Sequence, residues 1–174
     1  MSKKILWILP LVALSFTLAA CQSPSEKANE KAAENLAEKL LEKASGGKAD
    51  VDINGDNVEV KTGEGSIQTG TKVSLPAEFP KDVYVFEGDI KAVFANNENK
   101  GYTVSVETDK TPAEIKTAYE AKIKTDGWKT TGTMDFGDSI SISAEKDNRT
   151  LSVIIGKDDT KSTIVIGTGE KAAK

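Results

Sequence analysis

The feature that most constrains the fold is a two-residue alternation of apolar and polar side chains through the second half of the chain. It predicts four strands, at about residues 128–134, 138–145, 149–156 and 161–167. Many of the alternate positions hold serine or threonine, so one face of the resulting sheet should be apolar and the other solvated. A sheet of this kind needs a second layer over its apolar face.

One helix is predicted to supply that layer. Thr111-Pro112-Ala113-Glu114 has the residues of a capping box, with proline at the first helical position. Gly127 is placed to end the helix. The apolar face between these two points consists of Ile115, Ala118, Tyr119 and Ile123. The predicted fold class is α+β, an antiparallel sheet with one amphipathic helix packed on one face.

A second hairpin-forming pattern lies just before this helix. The sequence NNENKG predicts a turn between two alternating runs, and Leu75-Pro76 to Phe79-Pro80 predicts an extended entrance to the domain. Tyr84 and Phe86 should share one face of a short extended segment. The alternating residues are Ile90, Ala92 and Phe94 before the turn and Tyr102, Val104 and Val106 after it.

A further hairpin is predicted near residue 54. Asn54-Gly55 lies between alternating apolar residues, which is typical of a two-residue hairpin turn. Residues 62–74 are rich in Gly, Thr and Ser, and either extend this ladder with a short strand at 66–69 or form a linker. The apolar residues of the hairpin are Val51, Ile53, Val58 and Val60.

The hairpin segment also resembles the opening of an EF-hand calcium loop. Asp50 to Gly55 reads D-x-D-x-N-G, but the twelfth position, which needs a bidentate glutamate, is Lys61. The chain has no histidine and one cysteine, which leaves little for a thiolate or imidazole metal site. We therefore predict a hairpin here, no metal site and no cofactor.

The first residues have the pattern of an export signal. Lys3 and Lys4 precede an uncharged run from Ile5 to Ala20, which contains Pro10 and is short for a membrane-spanning helix. The run ends in Leu18-Ala19-Ala20-Cys21, which resembles the lipobox of bacterial lipoproteins.

That resemblance implies processing and an anchor. Leu18, Ala19 and Ala20 would direct cleavage before Cys21, whose thiol would then carry a diacylglyceryl group and hold the protein on a membrane. The expected location is the extracytoplasmic side of a bacterial cell envelope. An aspartate directly after the cysteine would resemble an inner-membrane retention signal of bacteria with two membranes. This chain has Gln22 at that position, which favours the outer membrane where the organism has one.

A helix is predicted directly after the anchor. Ser23-Pro24-Ser25-Glu26 is a capping sequence, good helix formers continue to Ala44, and Gly46-Gly47 ends the run. The helix serves either as a spacer between membrane and domain or as a partner helix, and we favour the spacer. Its narrow apolar stripe consists of Ala28, Ala32, Leu36, Leu40 and Ala44.

These elements predict a division of the chain into five parts. They are a signal peptide (1–20), the lipid anchor and helical tether (21–48), a β-hairpin or linker region (49–74), the α+β domain (75–168) and a tail (169–174).

The C-terminal part resembles a domain of uncharacterised exported bacterial proteins. The similarity covers residues 75–167 and rests on Phe79-Pro80, Asp82, Tyr119 and Gly127-Trp128. It implies no catalytic residue.

The composition argues against several classes of activity. Without histidine, Ser-His-Asp and Cys-His catalysis are excluded. Ser143 to Lys146 fits S-x-x-K but lies at the end of a predicted strand rather than at a helix start. The formal charge is −4, and removal of Lys3 and Lys4 makes it −6, so no nucleic-acid partner is expected.

Three functions remain open. We favour a lipid-anchored envelope protein that is not an enzyme and whose domain binds or scaffolds an unknown envelope protein or ligand. A hydrolase would need a carboxylate pair, either Asp135 with Asp138 or Asp158 with Asp159. A carrier would hold a small ligand between helix and sheet. Three aromatic residues are candidates for a binding groove, although core packing is favoured for them: Tyr102, Tyr119 and Trp128.

Overall fold

The computed structural model describes residues 26–45, 47–158 and 160–171. The predicted signal peptide, the lipobox Leu18-Ala19-Ala20-Cys21 and the capping residues 23–25 lie outside the described residues. Within the described part, no helix has the length and apolar character needed to cross a membrane.

The described strands form a single antiparallel sheet with two helices. Its strand order is β1-β2-β3-β4-β5-β9-β8-β7-β6, so two meanders meet where β5 pairs with β9. The α+β prediction is confirmed. The elements are α1 (Glu26–Ser45), β1 (Ala49–Asn54), β2 (Asn57–Thr62), β3 (Gly65–Thr69), β4 (Asp89–Asn96), β5 (Gly101–Thr108), α2 (Pro112–Thr125), β6 (Lys129–Asp135), β7 (Ser139–Lys146), β8 (Arg149–Asp158) and β9 (Lys161–Glu170).

The first three strands are continuous with the rest of the sheet. Asn54 pairs with Asn57 across the β1–β2 turn, where Gly55 has a φ of 58°, a value that favours glycine. The short strand predicted near 66–69 exists as β3, and it pairs with both β2 and β4. Asp50 to Gly55 is thus a strand and its turn, as predicted in preference to a calcium loop.

Helix α2 packs on one face of the sheet against β6, β7 and β8. We call this face the inner face and the opposite face the outer face. The capping box is present: the Thr111 amide donates to a Glu114 carboxylate oxygen at 2.9 Å, and the Glu114 amide donates to Thr111 Oγ1. Ile115, Tyr119 and Ile123 are buried against the inner face, which confirms the predicted apolar side of the helix.

The alternation in β4 is interrupted, and this differs from the sequence prediction. A β-bulge between Ile90 and Ala92 shifts the register, so Val93 pairs with Val104 on the inner face and is buried. Phe94 pairs with Thr103 and points to the outer face, where 41% of it is exposed. Phe94 is therefore a surface aromatic residue and not part of the core.

An irregular segment, residues 75–88, closes the inner face beside α2. The Asp82 carboxylate accepts hydrogen bonds from both terminal guanidinium nitrogens of Arg149 and from Lys146 Nζ at 2.7 Å. The Trp128 indole N–H donates to the Asp82 carbonyl oxygen at 2.8 Å. Arg149 also lies 5.0 Å from the centre of the Trp128 ring. We call these four residues the Asp82 latch.

The latch holds aromatic side chains against the helix. Tyr84 and Phe86 both contact the Tyr119 ring, with centroid separations of 5.2 and 6.4 Å. The two side chains thus converge on one partner, and their segment is not a strand of the sheet.

Helix α1 lies along the free edge of β1. Glu34 Oε1 accepts from the Ile53 backbone amide at 2.9 Å, and Glu38 Oε1 accepts from the Val51 amide at 3.3 Å. These amides point away from β2, so the glutamates satisfy donors that the sheet leaves open. The helix therefore contacts the domain through the open edge of β1.

We predict that Asp82→Asn lowers the free energy of unfolding by about 2 kcal/mol at neutral pH, because Arg149 and Lys146 lose a partly buried partner. The two cations hold the pKa of Asp82 far below its usual range. The stabilisation should therefore be complete above about pH 5 and decline below about pH 4, where the unfolded chain takes up the proton.

Urea unfolding of both proteins between pH 3 and pH 7 measures this difference. The two curves should converge as the pH falls. Asp89→Asn is the matched control, because Asp89 pairs with Lys91 while 73% of its side chain is exposed. A difference between wild type and Asp82→Asn that grows at low pH would contradict the assignment.

Candidate functional site

A groove of about 550 Å³ crosses the outer face from β2 to β8. Strand pairing places its side chains in two parallel rows that run across the strands. The first row begins with apolar residues and continues with small polar ones: Val60, Ile67, Phe94, Thr103, Gly167 and Ser152. The second row is small and polar throughout: Thr62, Gly65, Asn96, Gly101, Gly169 and Thr150.

Exposed apolar side chains form one end of the groove. Ile67 and Phe94 are cross-strand partners, and each is 41% exposed. Val60 continues the row on β2. The sequence predicts a polar, solvated outer face, so exposed apolar side chains are unexpected there. Their exposure beside hydroxyl groups marks a candidate contact surface.

Glycines form the floor at the other end. Gly101, Gly167 and Gly169 lie on the neighbouring strands β5 and β9. A Cβ atom added at Gly167 would have only Ser152 Cβ near it, at 4.0 Å. The groove is open there because the strand carries no side chain at this point.

The charges at the groove are acidic. Glu64 and Glu170 border it, and among the described residues that line it none is lysine or arginine. Lys100 lies outside the lining and donates to Glu170 at 2.8 Å, an interaction that raises the pKa of the lysine. The groove therefore offers hydroxyl and amide groups and no cation that would pair with an anion.

The acid pairs proposed for hydrolysis lie elsewhere. Asp135 accepts from Lys116 Nζ and from the Gly137 amide, both at 3.1 Å, and these partners lower its pKa. A lowered pKa does not suit a general acid, which must hold a proton at neutral pH. Asp138 is an exposed turn residue, and Asp159 lies outside the described residues.

The S-x-x-K sequence is part of the scaffold. Ser143 lies within β7, and Lys146, at the end of that strand, donates to Asp82 and to the Asp126 carbonyl oxygen at 2.8 Å. The lysine is therefore an ion-pair partner in the latch.

The three aromatic residues considered for a binding groove lie in different parts of the structure. Tyr119 and Trp128 are buried in the core, as favoured from the sequence. Tyr102 borders the groove, but its ring packs edge-on against Phe79 at 5.4 Å. The exposed ring in the groove is Phe94, which the sequence placed in an ordinary alternating strand. Only the bulge at residue 91 turns it outward.

The space between α2 and the sheet is filled. Ile115 and Tyr119 have no exposed surface and pack with Phe86 and Val153 in one cluster. The Tyr119 hydroxyl lies near the Phe86 amide without a well-formed hydrogen bond, and burial raises its pKa. In the part of the chain that the structure describes, a ligand between α2 and the sheet would have to displace these side chains.

One comparison with known proteins found a similar family. A family model described as START domain-like matches residues 90–163, which extend from β4 through α2 to the beginning of β9. This similarity suggests a ligand-binding domain. No curated protein and no solved structure matches the chain.

We predict that two glycines of the groove respond oppositely to alanine. Gly167→Ala should change the free energy of unfolding by less than about 0.5 kcal/mol, because the new methyl group enters open space. Gly65→Ala should lower it by about 3 kcal/mol, because its Cβ would collide with the Ala95 carbonyl oxygen. Thermal and urea unfolding measure the stability of both variants. Equal losses of stability would contradict the open space at Gly167 and the close contact at Gly65.

Proposed function

We propose that the protein is a lipid-anchored binding protein of a bacterial cell envelope, and that the outer-face groove is its binding site. The observation that carries the proposal is the groove itself, an open channel in which the exposed Phe94 and Ile67 adjoin a floor of glycines and hydroxyl groups. The START domain-like similarity supports a ligand-binding role, and the lipobox residues support the anchor.

The shape of the groove favours an extended ligand. It crosses six neighbouring strands, and a spacing of about 4.8 Å between strands gives a length of about 24 Å. Because the rows run across the strands, a ligand in the groove would not add to the sheet as another strand. Recognition would therefore rest on side chains and exposed glycine backbone.

The chemistry of the groove favours a neutral, hydroxyl-rich ligand such as a glycan strand. The side-chain hydroxyl groups of Thr103, Thr150 and Ser152 can donate and accept hydrogen bonds, as can the hydroxyl groups of such a ligand. Phe94 supplies an apolar ring surface where the apolar end of the first row meets the hydroxyl groups. Glu64 and Glu170 would repel an anionic chain.

The same residues argue for binding without catalysis. A glycoside hydrolase needs one carboxylic acid that stays protonated at neutral pH, which requires a dry environment. Glu64 is exposed, and Glu170 pairs with Lys100 at 2.8 Å. Neither has the surroundings of a general acid.

The anchor would keep this site in the envelope. A diacylglyceryl group on Cys21 supplies two acyl chains, enough for stable retention on a membrane, whereas one chain binds only marginally. The acidic body of the protein would not by itself adhere to anionic headgroups.

The anchor is tested by metabolic labelling with palmitate. The wild-type protein should take up label and fractionate with membranes, and Cys21→Ala should do neither, because the thiol is the acceptor. Mass spectrometry of the mature N-terminus should give a modified Cys21. An unlabelled wild-type protein would refute the lipoprotein assignment.

The ligand class is tested by NMR titration of the chain from residue 26 onward. A neutral oligosaccharide such as chitohexaose or maltohexaose should shift amides of β4, β5 and β9, and Phe94→Ala should weaken binding about tenfold. Ile154→Ala is the matched control, since Ile154 is 46% exposed on the same face but does not line the groove.

An anionic oligosaccharide of the same length, hexagalacturonate, completes the test. Its binding should be much weaker, because Glu64 and Glu170 oppose it. Two results would contradict the ligand class. One is tighter binding of the anionic chain, and the other is equal loss of affinity in Phe94→Ala and Ile154→Ala.

A further inference from the structure

Helix α1 has its polar and apolar sides in an unusual orientation. The glutamates Glu34 and Glu38 face the domain and are partly buried, whereas Leu36 and Leu40 face away from it and are 61% and 60% exposed. An amphipathic helix on a soluble domain normally buries its leucines and exposes its acids. The described arrangement leaves the apolar stripe of α1 for another surface.

The glutamate side is fixed by a match of spacings. Residues four apart on a helix are about 6 Å apart along its axis, and alternate residues of a strand are about 6.8 Å apart. Glu34 and Glu38 therefore reach the amides of Ile53 and Val51 at the same time, at 2.9 and 3.3 Å. This docking determines which side of α1 remains outward.

The outward side carries no acid between residues 31 and 40. Its exposed members are two leucines, two alanines and one lysine: Ala32, Ala33, Leu36, Lys39 and Leu40. Apolar residues beside a lysine, with the acids turned away, suit the boundary between lipid headgroups and acyl chains.

The chain between Cys21 and α1 is short enough to keep α1 near a membrane once Cys21 carries a lipid. Glu26, the first residue of α1, follows Cys21 by five residues, which span at most about 17 Å when extended. With acyl chains on Cys21, the start of α1 would be confined to that distance from the bilayer. This proximity raises the effective concentration of a weakly apolar helix at the surface.

We propose that α1 lies on the membrane surface, with Leu36 and Leu40 in the headgroup boundary and its glutamate side holding the edge of β1. This inference rests on the lipid anchor of the proposed function. In this arrangement α1 orients the domain on the membrane. The β1 edge of the sheet faces the membrane, and the groove opens sideways into the envelope.

Tryptophan quenching by lipids brominated in their acyl chains tests the proposal. The chain beginning at Cys21 is coupled through that thiol to a maleimide lipid in phosphatidylcholine vesicles. Leu40→Trp and Leu36→Trp report on the outward side. Trp128 is 6% exposed in the core and serves as a constant background.

Lys31→Trp is the matched control on the same helix. Lys31 is exposed and lies nearer to the anchor than either leucine, but it is turned away from the outward side. Quenching caused only by closeness to the anchor would therefore affect Lys31→Trp most.

We expect the fluorescence added by Leu36→Trp and by Leu40→Trp to fall by about half on brominated vesicles, and that of Lys31→Trp to stay unchanged. Absence of quenching at 36 and 40, or equal quenching at 31, would overturn the proposal. So would a spectral shift at 36 and 40 without vesicles, which indicates a second copy of the chain as the occupant. Because the attachment is chemical, these outcomes do not depend on whether cells acylate Cys21.

Discussion

The Asp82 latch is the interaction on which the rest of the structure depends. Its carboxylate joins an irregular segment to the ends of β7 and β8, and its carbonyl oxygen receives the indole N–H of Trp128. This holds Phe86 over Tyr119 and closes the core. Asp82 and Trp128 thus belong to the latch itself, and Tyr119 packs against the Phe86 ring that the latch holds in place.

A closed inner face moves the candidate site to the outer face. The START domain-like similarity begins at residue 90, yet part of the groove comes from β2 and β3, which precede it. Val60 and Ile67 supply the apolar end, while the matched region supplies Phe94 and the hydroxyl groups of Thr103, Thr150 and Ser152. The groove is therefore formed jointly by the matched region and the additional strands.

The same additional strands create an open sheet edge at β1. Open edges tend to pair with other chains, and proteins commonly protect them with charge or with a covering helix. Here α1 does both, because Glu34 and Glu38 satisfy the outward amides of Ile53 and Val51. Protection of the edge and the outward leucines are two consequences of one docking geometry.

The sequence by itself determined the elements, because alternation, capping and turn residues act over a few neighbouring positions. It located the strands, the capped helix and the Asn-Gly hairpin, and its lipobox remains a prediction about Cys21. Tertiary structure alone decided the groove: the bulge at residue 91 reverses Phe94, and pairing brings Ile67 beside it. Likewise, only docking could turn Glu34 inward, because strand edges and helix faces meet through contacts between residues far apart in the chain.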